Sequence, residues 1–291
     1  MSQADGGSTD RCSGASRGQQ HNHSTNGAHS CLRVGEWRNM CFESARQRHV
    51  CRDRTLQRCG QLEPRNLVLG VNGRIGALCD CLRRCASDCT RGLPAFTRPE
   101  KDKVAMELGS AVALVLELAD QCNIDLPLAL LRKIQLNDRK YPASLVRGSA
   151  SKYDAYHHHT GFTKDSKQVT TEGLDGQAHL EGRADKEWTI LTFQDLRVRL
   201  SHFAQDRGWD KFHTPRNICL ALSGEAGELC ELFQWKDEDT CSAGLPGWTS
   251  EARDKVAQEI SDVCIYLCRL SDLCGIDLPK TLQDMCDMTS I

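Results

Sequence analysis

The sequence of 291 residues has no long apolar run, few aromatic residues and almost no net charge. Lys plus Arg number 37 and Asp plus Glu number 39, so the net charge of −2 gives no bulk attraction to nucleic acid or to an anionic membrane. No apolar segment reaches the roughly 20 residues that a membrane-spanning helix needs. The first residues, MSQADGGSTD, contain no apolar core. We therefore expect no secretory signal, a cytoplasmic protein (with the nucleus as the alternative), and neither membrane nor nucleic acid as a partner.

The sequence also lacks any CxxC motif, although it contains 17 cysteines. Structural zinc sites usually draw paired ligands from two separated segments, commonly as CxxC. The tightest cluster is Cys79, Cys81, Cys85 and Cys89, and the last three of these are four residues apart on one helical stripe. We therefore expect small buried residues on helix faces rather than a metal site. The odd number of cysteines and the expected reducing compartment also argue against a disulfide framework.

Two polar stretches divide the sequence. Residues 1–36 are rich in Ser, Gly, Gln, Asn and His, which predicts a disordered tail. Residues 146–187 predict a flexible linker, in which we interpret three adjacent histidines, 157–159, as solvated side chains rather than metal ligands. The two remaining parts are 37–145, called the first block below, and 188–291, called the second block.

The two blocks align with each other, which predicts a tandem duplication. The matches hold at an offset of 151 and, after one inserted residue, of 152. The clearest matched motifs are Pro64-Arg65-Asn66 with Pro215-Arg216-Asn217, Gly92-Leu93-Pro94 with Gly244-Leu245-Pro246, and Ile124-Asp125-Leu126-Pro127 with Ile276-Asp277-Leu278-Pro279. Ordered matches with a single gap are not expected by chance.

Each block is predicted to be helical. Apolar residues at three- and four-residue spacing predict helices over 217–235 and 252–274, and no alternating strand pattern competes with them. Pro215 suits a helix start, and Gly275 suits the position after a helix end. A shorter last helix is expected from Leu278. We predict an all-α fold of two antiparallel helical-bundle repeats packed together, because each repeat alone would leave an apolar face uncovered.

Five acids lie on shared faces of two predicted helices. Glu225, Glu228 and Glu231 are three residues apart on the first helix, and Glu259 and Asp262 are three apart on the next. A hairpin would bring the two faces together, where carboxylates repel each other unless a cation lies among them. Oxygen ligands on rigid helices suit Mg²⁺. The alternative is ordinary solvated surface, but the flanking sequence is apolar and no Lys or Arg lies within either cluster.

The motifs around these acids resemble a known family. They are Phe203-Ala-Gln-Asp-Arg-Gly-Trp209, Gly224-Glu225-Ala-Gly-Glu228-Leu-Cys-Glu231-Leu-Phe233-Gln234-Trp235-Lys236 and Glu259-Ile-Ser-Asp262-Val-Cys-Ile-Tyr266. Over about residues 190–288 the chain is similar to the dCTP pyrophosphatase branch of the MazG-type all-α nucleotide pyrophosphatases. The resemblance implies Mg²⁺-dependent hydrolysis of a deoxynucleoside triphosphate, dCTP or a modified dCTP, to the monophosphate and pyrophosphate. The residues implied as metal ligands and catalytic groups are Glu225, Glu228, Glu259 and Asp262, and those implied at the nucleotide pocket are His202, Trp209, Trp235 and Tyr266.

The first block lacks most of these groups. Arg74, Ala77 and Ser110 stand at the positions of Glu225, Glu228 and Asp262, and only Glu107 keeps its acid, opposite Glu259. The pocket aromatics are also replaced, so that eight of the 16 aromatic residues fall between Phe193 and Tyr266. The sequence therefore predicts that the first block is a degenerate copy that does not bind Mg²⁺ as the family does.

The end of the first block shows the opposite pattern. Lys133 and Asn137 lie in a segment that is similar to the family's C-terminal phosphate- and sugar-binding segment, whereas the aligned residues of the second block are Met285 and Thr289. We hypothesise a composite site with acids and aromatics from the second block and with Lys133 and Asn137 from the first. The alternative is that Lys133 and Asn137 are unselected remnants.

Two functions are consistent with the sequence. The first is an enzyme that cleans the nucleotide pool, with a nucleoside triphosphate as its substrate. The second is a catalytically impaired homologue that acts as a helical scaffold or regulator of a complete pyrophosphatase. We expect either a homo-oligomer or an intramolecular pseudo-dimer, since the duplication can replace one subunit interface.

Overall fold

The computed structural model describes residues 63–84, 89–149 and 191–288. Within these ranges the chain is all helix and loop, with no β-strand, which confirms the predicted all-α class. The helices are α1 (Pro64–Arg83), α2 (Arg98–Gln121), α3 (Leu126–Lys140), α4 (Ala143–Val146), α5 (Phe193–Asp206), α6 (Pro215–Phe233), α7 (Ser250–Cys274) and α8 (Leu278–Met288), with a 3₁₀ turn at Asp239–Cys241.

Local sequence sets the helix ends. Pro215 is the first residue of α6, as expected, and the Thr214 hydroxyl accepts a hydrogen bond from the backbone N–H of Asn217 at 3.2 Å. At the end of α7, Gly275 adopts a left-handed conformation with φ 68°, which confirms the expected helix stop. The helix predicted over 217–235 begins and ends two residues earlier, so Trp235 lies beyond the end of α6.

The helices pack around one hydrophobic core that both blocks share. α1 packs on α2, and α6 packs on α7. α1 also contacts α6, while α7 contacts α2, α3 and α5, and α8 contacts α2. The two helical hairpins are therefore the two halves of one body, and α3 of the first half lies against the helix that carries two of the predicted acids.

Backbone contacts between the two halves come in reciprocal pairs. The N–H of Gly92 donates to the carbonyl of Leu273 at 2.7 Å, and the N–H of Gly244 donates to the carbonyl of Gln121 at 2.7 Å. Gly244 is the aligned counterpart of Gly92, and Leu273 is that of Gln121. Contacts of this kind are made by two copies related by a two-fold axis.

The side-chain contacts between α1 and α6 also come in reciprocal pairs. Asn72 Nδ2 donates to Cys230 Sγ at 2.8 Å, and Cys79 Sγ lies 3.3 Å from Ser223 Oγ. Ser223 is the aligned counterpart of Asn72, and Cys230 is that of Cys79. The arrangement supports the duplication, which stays a prediction together with its block boundaries.

The loops that make these contacts share an unusual backbone. Gly92 and Gly244 both have φ 78°, and the leucines that follow them, Leu93 and Leu245, have φ 49° and 50°. Left-handed backbone is unfavourable for a residue with a side chain. Both leucines are buried, and this burial offsets the strain.

The cysteines of the described ranges are free thiols and mostly buried, as expected. Cys85 and the histidines 157–159 lie outside the described residues, as do the tail 1–36 and most of the linker 146–187. In the part of the chain that the structure describes, the groups with metal-binding geometry include no cysteine. None of the described helices is both long and apolar enough to cross a membrane.

Candidate metal centre

Neighbouring helices bring three of the predicted acids together. Glu225 and Glu228 lie on α6 and Glu259 lies on α7, and one carboxylate oxygen of each lies within 4.8 Å of the other two. Glu225 and Glu259 are half-buried, while Glu228 is exposed. Glu231, three residues further along α6, is exposed and lies outside this group.

The group fits a hard cation. Glu259 Oε2 is buried and has no hydrogen-bond partner within the described structure. A buried carboxylate oxygen without a donor is unfavourable, and a coordinated cation supplies what a donor would. The ligand atoms are all carboxylate oxygens on rigid helices, and this donor set matches Mg²⁺ better than a soft metal.

Burial and mutual repulsion favour protonation of these acids. Burial raises the pKa of Glu225 to about 7, with further increases from the charges of Asp262, Glu228 and Glu259. Burial likewise raises the pKa of Glu259 to about 7, although the Lys133 charge acts in the opposite direction. The pKa of the buried Asp262 is also raised, since burial outweighs its contact with Lys133. The repulsion between these carboxylates therefore decreases when a cation binds among them or when they take up protons.

A lysine from the first block reaches this group. Lys133 on α3 forms an ion pair with Asp262 Oδ2, and the two side chains are only 14% and 11% exposed. The same lysine charge partly opposes the increase in the pKa values of Glu225 and Glu259. Asn137 is half-buried one helical turn beyond Lys133, on the same face of α3. Acids from one block and a cation from the other thus meet at one place.

Trp209 lies in an aromatic cluster that also draws on both blocks. Its ring centroid is 5.4 Å from that of Tyr141, 5.8 Å from Phe203 and 6.0 Å from His213. Its indole Nε1 donates to the carbonyl of Ser149 at 2.6 Å. Tyr141 lies near the end of the first block and Ser149 in the stretch that follows it, so the chain after α3 covers this part of the second block.

The other predicted pocket residues lie in different environments. Tyr266 is partly buried beside the acids, and burial and the charges of Glu225 and Asp262 raise its pKa. His202 is exposed on α5, and Trp235 is 88% exposed just after α6. The assignment of all four aromatic and histidine residues to a nucleotide pocket stays a prediction.

Sequence reasoning missed a residue that fastens the two blocks together here. Arg207 is buried, donates from Nε to the carbonyl of Tyr141 at 2.7 Å and pairs through Nη2 with Asp138 Oδ1 at 2.8 Å. Its guanidinium also lies 3.6 Å from the Phe203 ring centroid. Arg207 lies within the Phe203–Trp209 motif and also donates from Nη1 to the carbonyl of Phe203 at 3.0 Å, but its other two polar partners, Tyr141 and Asp138, are in the first block. Spacing alone cannot reveal such a pairing.

Comparison with curated proteins supports the resemblance. The chain is 44% identical over 97 residues to dCTP pyrophosphatase 1 of Homo sapiens, 43% over 97 residues to that of Bos taurus and 44% over 96 residues to that of Rattus norvegicus. This part of the chain is similar to dCTP pyrophosphatases. The aligned part is 33% of this chain, and the chain spans about half the length of these relatives, 55–56%. No protein-family profile and no solved structure matches the chain.

Proposed function

We propose that this chain hydrolyses a deoxynucleoside triphosphate, dCTP or a modified dCTP, to the monophosphate and pyrophosphate in the presence of Mg²⁺. The observation that carries the proposal is the convergence of Glu225, Glu228 and Glu259, with one buried oxygen of Glu259 left without a partner. The relationship to proteins named dCTP pyrophosphatase 1 supports the substrate class.

In this proposal Glu225, Glu228, Glu259 and Asp262 hold the cation. When bound, Mg²⁺ offsets the charge of the triphosphate and makes water a better nucleophile. A carboxylate of this group would accept the proton that the attacking water releases.

The first block contributes the phosphate contacts. The Lys133 ammonium lies beside the acids and can exchange Asp262 for a phosphate oxygen, and Asn137 lies one turn away on the same face. Trp209 and Tyr266 offer aromatic faces to the base, where stacking contributes about 1–3 kcal/mol each. The reciprocal contacts between the halves support an intramolecular pseudo-dimer as the unit that contains this composite site.

A pyrophosphate-release assay with dCTP and Mg²⁺ tests the proposal. We expect Glu225→Gln to lower kcat/KM by more than about a hundredfold, because even outer partners of metal ligands are worth about 10–100-fold. Glu231→Gln is the matched control, since Glu231 is on the same helix but outside the acidic group. Hydrolysis that survives Glu225→Gln in a folded protein would show that the site lies elsewhere. A panel of other triphosphates in the same assay establishes the base preference.

The second candidate is a catalytically impaired homologue that acts as a scaffold or regulator of a complete pyrophosphatase. The ion pair between Lys133 and Asp262 favours it, because an internal cation already lies beside the proposed metal ligands. Wild-type protein that is folded yet hydrolyses no triphosphate in the panel would support this candidate over the enzyme.

A further inference from the structure

The first block has a counterpart of the acidic group, and an ion pair lies there. Arg74 on α1 is aligned with Glu225, and Glu107 on α2 is aligned with Glu259. Arg74 Nη1 lies 3.3 Å from Glu107 Oε2, and the two side chains are 34% and 14% exposed. A guanidinium therefore pairs with Glu107, the one acid that remains at the four positions aligned with the proposed metal ligands.

The residues around this ion pair differ from those around the acidic group of the second block. Ala77 and Ser110 stand in place of Glu228 and Asp262, so the other carboxylates that would bind a metal are absent. α8 of the second block packs against α2 so closely that a Cβ atom at Gly109 would lie only 2.6 Å from Met285 Sδ. Met285 is the aligned counterpart of Lys133. The first block therefore has an apolar thioether nearby, whereas the acidic group of the second block has the Lys133 ammonium.

We propose that Arg74 is a built-in cation that replaces the divalent metal ion in the first block, so that each chain carries a single metal and nucleotide site. The second half of this statement rests on the proposed function. A guanidinium stays charged at every physiological pH and does not dissociate from the chain, unlike a bound ion. The α1–α2 hairpin is thereby held together without metal, and the α3 helix that follows it presents Lys133 to the acids of the second block whether or not metal is bound.

Metal stoichiometry tests the single site, with Mn²⁺ as the probe and the free ion measured by electron paramagnetic resonance. Wild-type protein is expected to bind Mn²⁺, and the double variant Glu225→Gln with Glu259→Gln is expected to lose all of that binding. Residual binding that disappears on adding Glu107→Gln would place a metal in the first block and overturn the proposal. If wild-type protein binds no Mn²⁺ at all, it is the proposed function that fails, and the role of Arg74 is decided by the next experiment.

Thermal unfolding in a chelator tests Arg74 itself, without reference to activity. Arg74→Met keeps most of the side-chain volume but removes the charge, and we expect its Tm to fall by about 2–4 °C. Arg74→Lys keeps a cation within reach of Glu107 and is expected to recover more than half of that loss. An unchanged Tm for Arg74→Met, or equal losses for the Met and Lys variants, would show that the charge at this position does not replace a metal.

Discussion

Lys133→Met is the sharpest perturbation of the composite site, because it gives the first block the side chain that the second block has at position 285. Lys133 and its partner Asp262 are almost buried, so solvent screens the ammonium weakly. A hydrogen bond to a charged group under these conditions is worth about 1.5–3 kcal/mol. Since 1.4 kcal/mol is a factor of ten, kcat/KM with dCTP is expected to fall about 10- to 150-fold.

The assay is the initial rate of pyrophosphate release at saturating Mg²⁺, with folding checked by circular dichroism. Lys280→Met is the matched control, since Lys280 forms an exposed ion pair at 2.9 Å with Asp284 on α8, away from the acids. It is expected to leave the rate within twofold of wild type, because exposed pairs contribute little. A folded Lys133→Met protein that keeps the wild-type rate would refute the composite site and establish Lys133 as a remnant.

Three further outcomes follow from the structure. The raised pKa values of Glu225 and Glu259 mean that the folded protein binds protons more tightly than the unfolded chain, so their stability contribution is present below about pH 4.5 and is lost as the pH rises through about 7. The metal-free Tm should therefore fall between pH 5 and 8, and Mg²⁺ should restore it; a Tm that Mg²⁺ does not change at pH 8 would contradict this. Arg207→Ala should lower the Tm and raise the KM for dCTP, because it detaches the end of the first block, and an unchanged KM would argue against a shared site. Gly244→Ala should destabilise the protein by about 1–2 kcal/mol in urea unfolding, because Gly244 has a left-handed backbone. Gly73→Ala, in open space within α1, should instead stabilise it by about 0.5–1 kcal/mol. A Gly244→Ala protein as stable as the wild type would refute the left-handed assignment.

The sequence predicted features whose cause lies within a few residues. The starts of α6 and α8 and the end of α7 depend on Pro215, Pro279 and Gly275, and local backbone rules are sufficient for each. The meeting of Glu225, Glu228 and Glu259 depends on three-residue spacing and one hairpin, which are also visible in the sequence.

Features that depend on partners far away in the sequence could not be predicted from the sequence. Sequence alignment showed that Arg74 replaced a glutamate, but it did not show that the guanidinium pairs with Glu107, because that contact requires the crossing of α1 and α2. The spacing on α6 included Trp235 in a helix face, yet the helix ends at Phe233, which leaves this side chain in solvent. The first-block partners of Arg207, Tyr141 and Asp138, are 66 and 69 residues away in the sequence, a separation at which neither periodicity nor propensity carries information.

The reciprocal contacts between the halves have a consequence for how such a protein can change. In an assembly of two identical chains, every substitution occurs twice, so an arginine among the acids would destroy both sites at once. Here the matched halves are encoded separately, and Arg74 occurs once. In the composite site that we propose, one half can therefore lose its carboxylates and the other its lysine, provided that each keeps the groups that the other lacks. Because one chain encodes both halves, such a site would not depend on protein concentration.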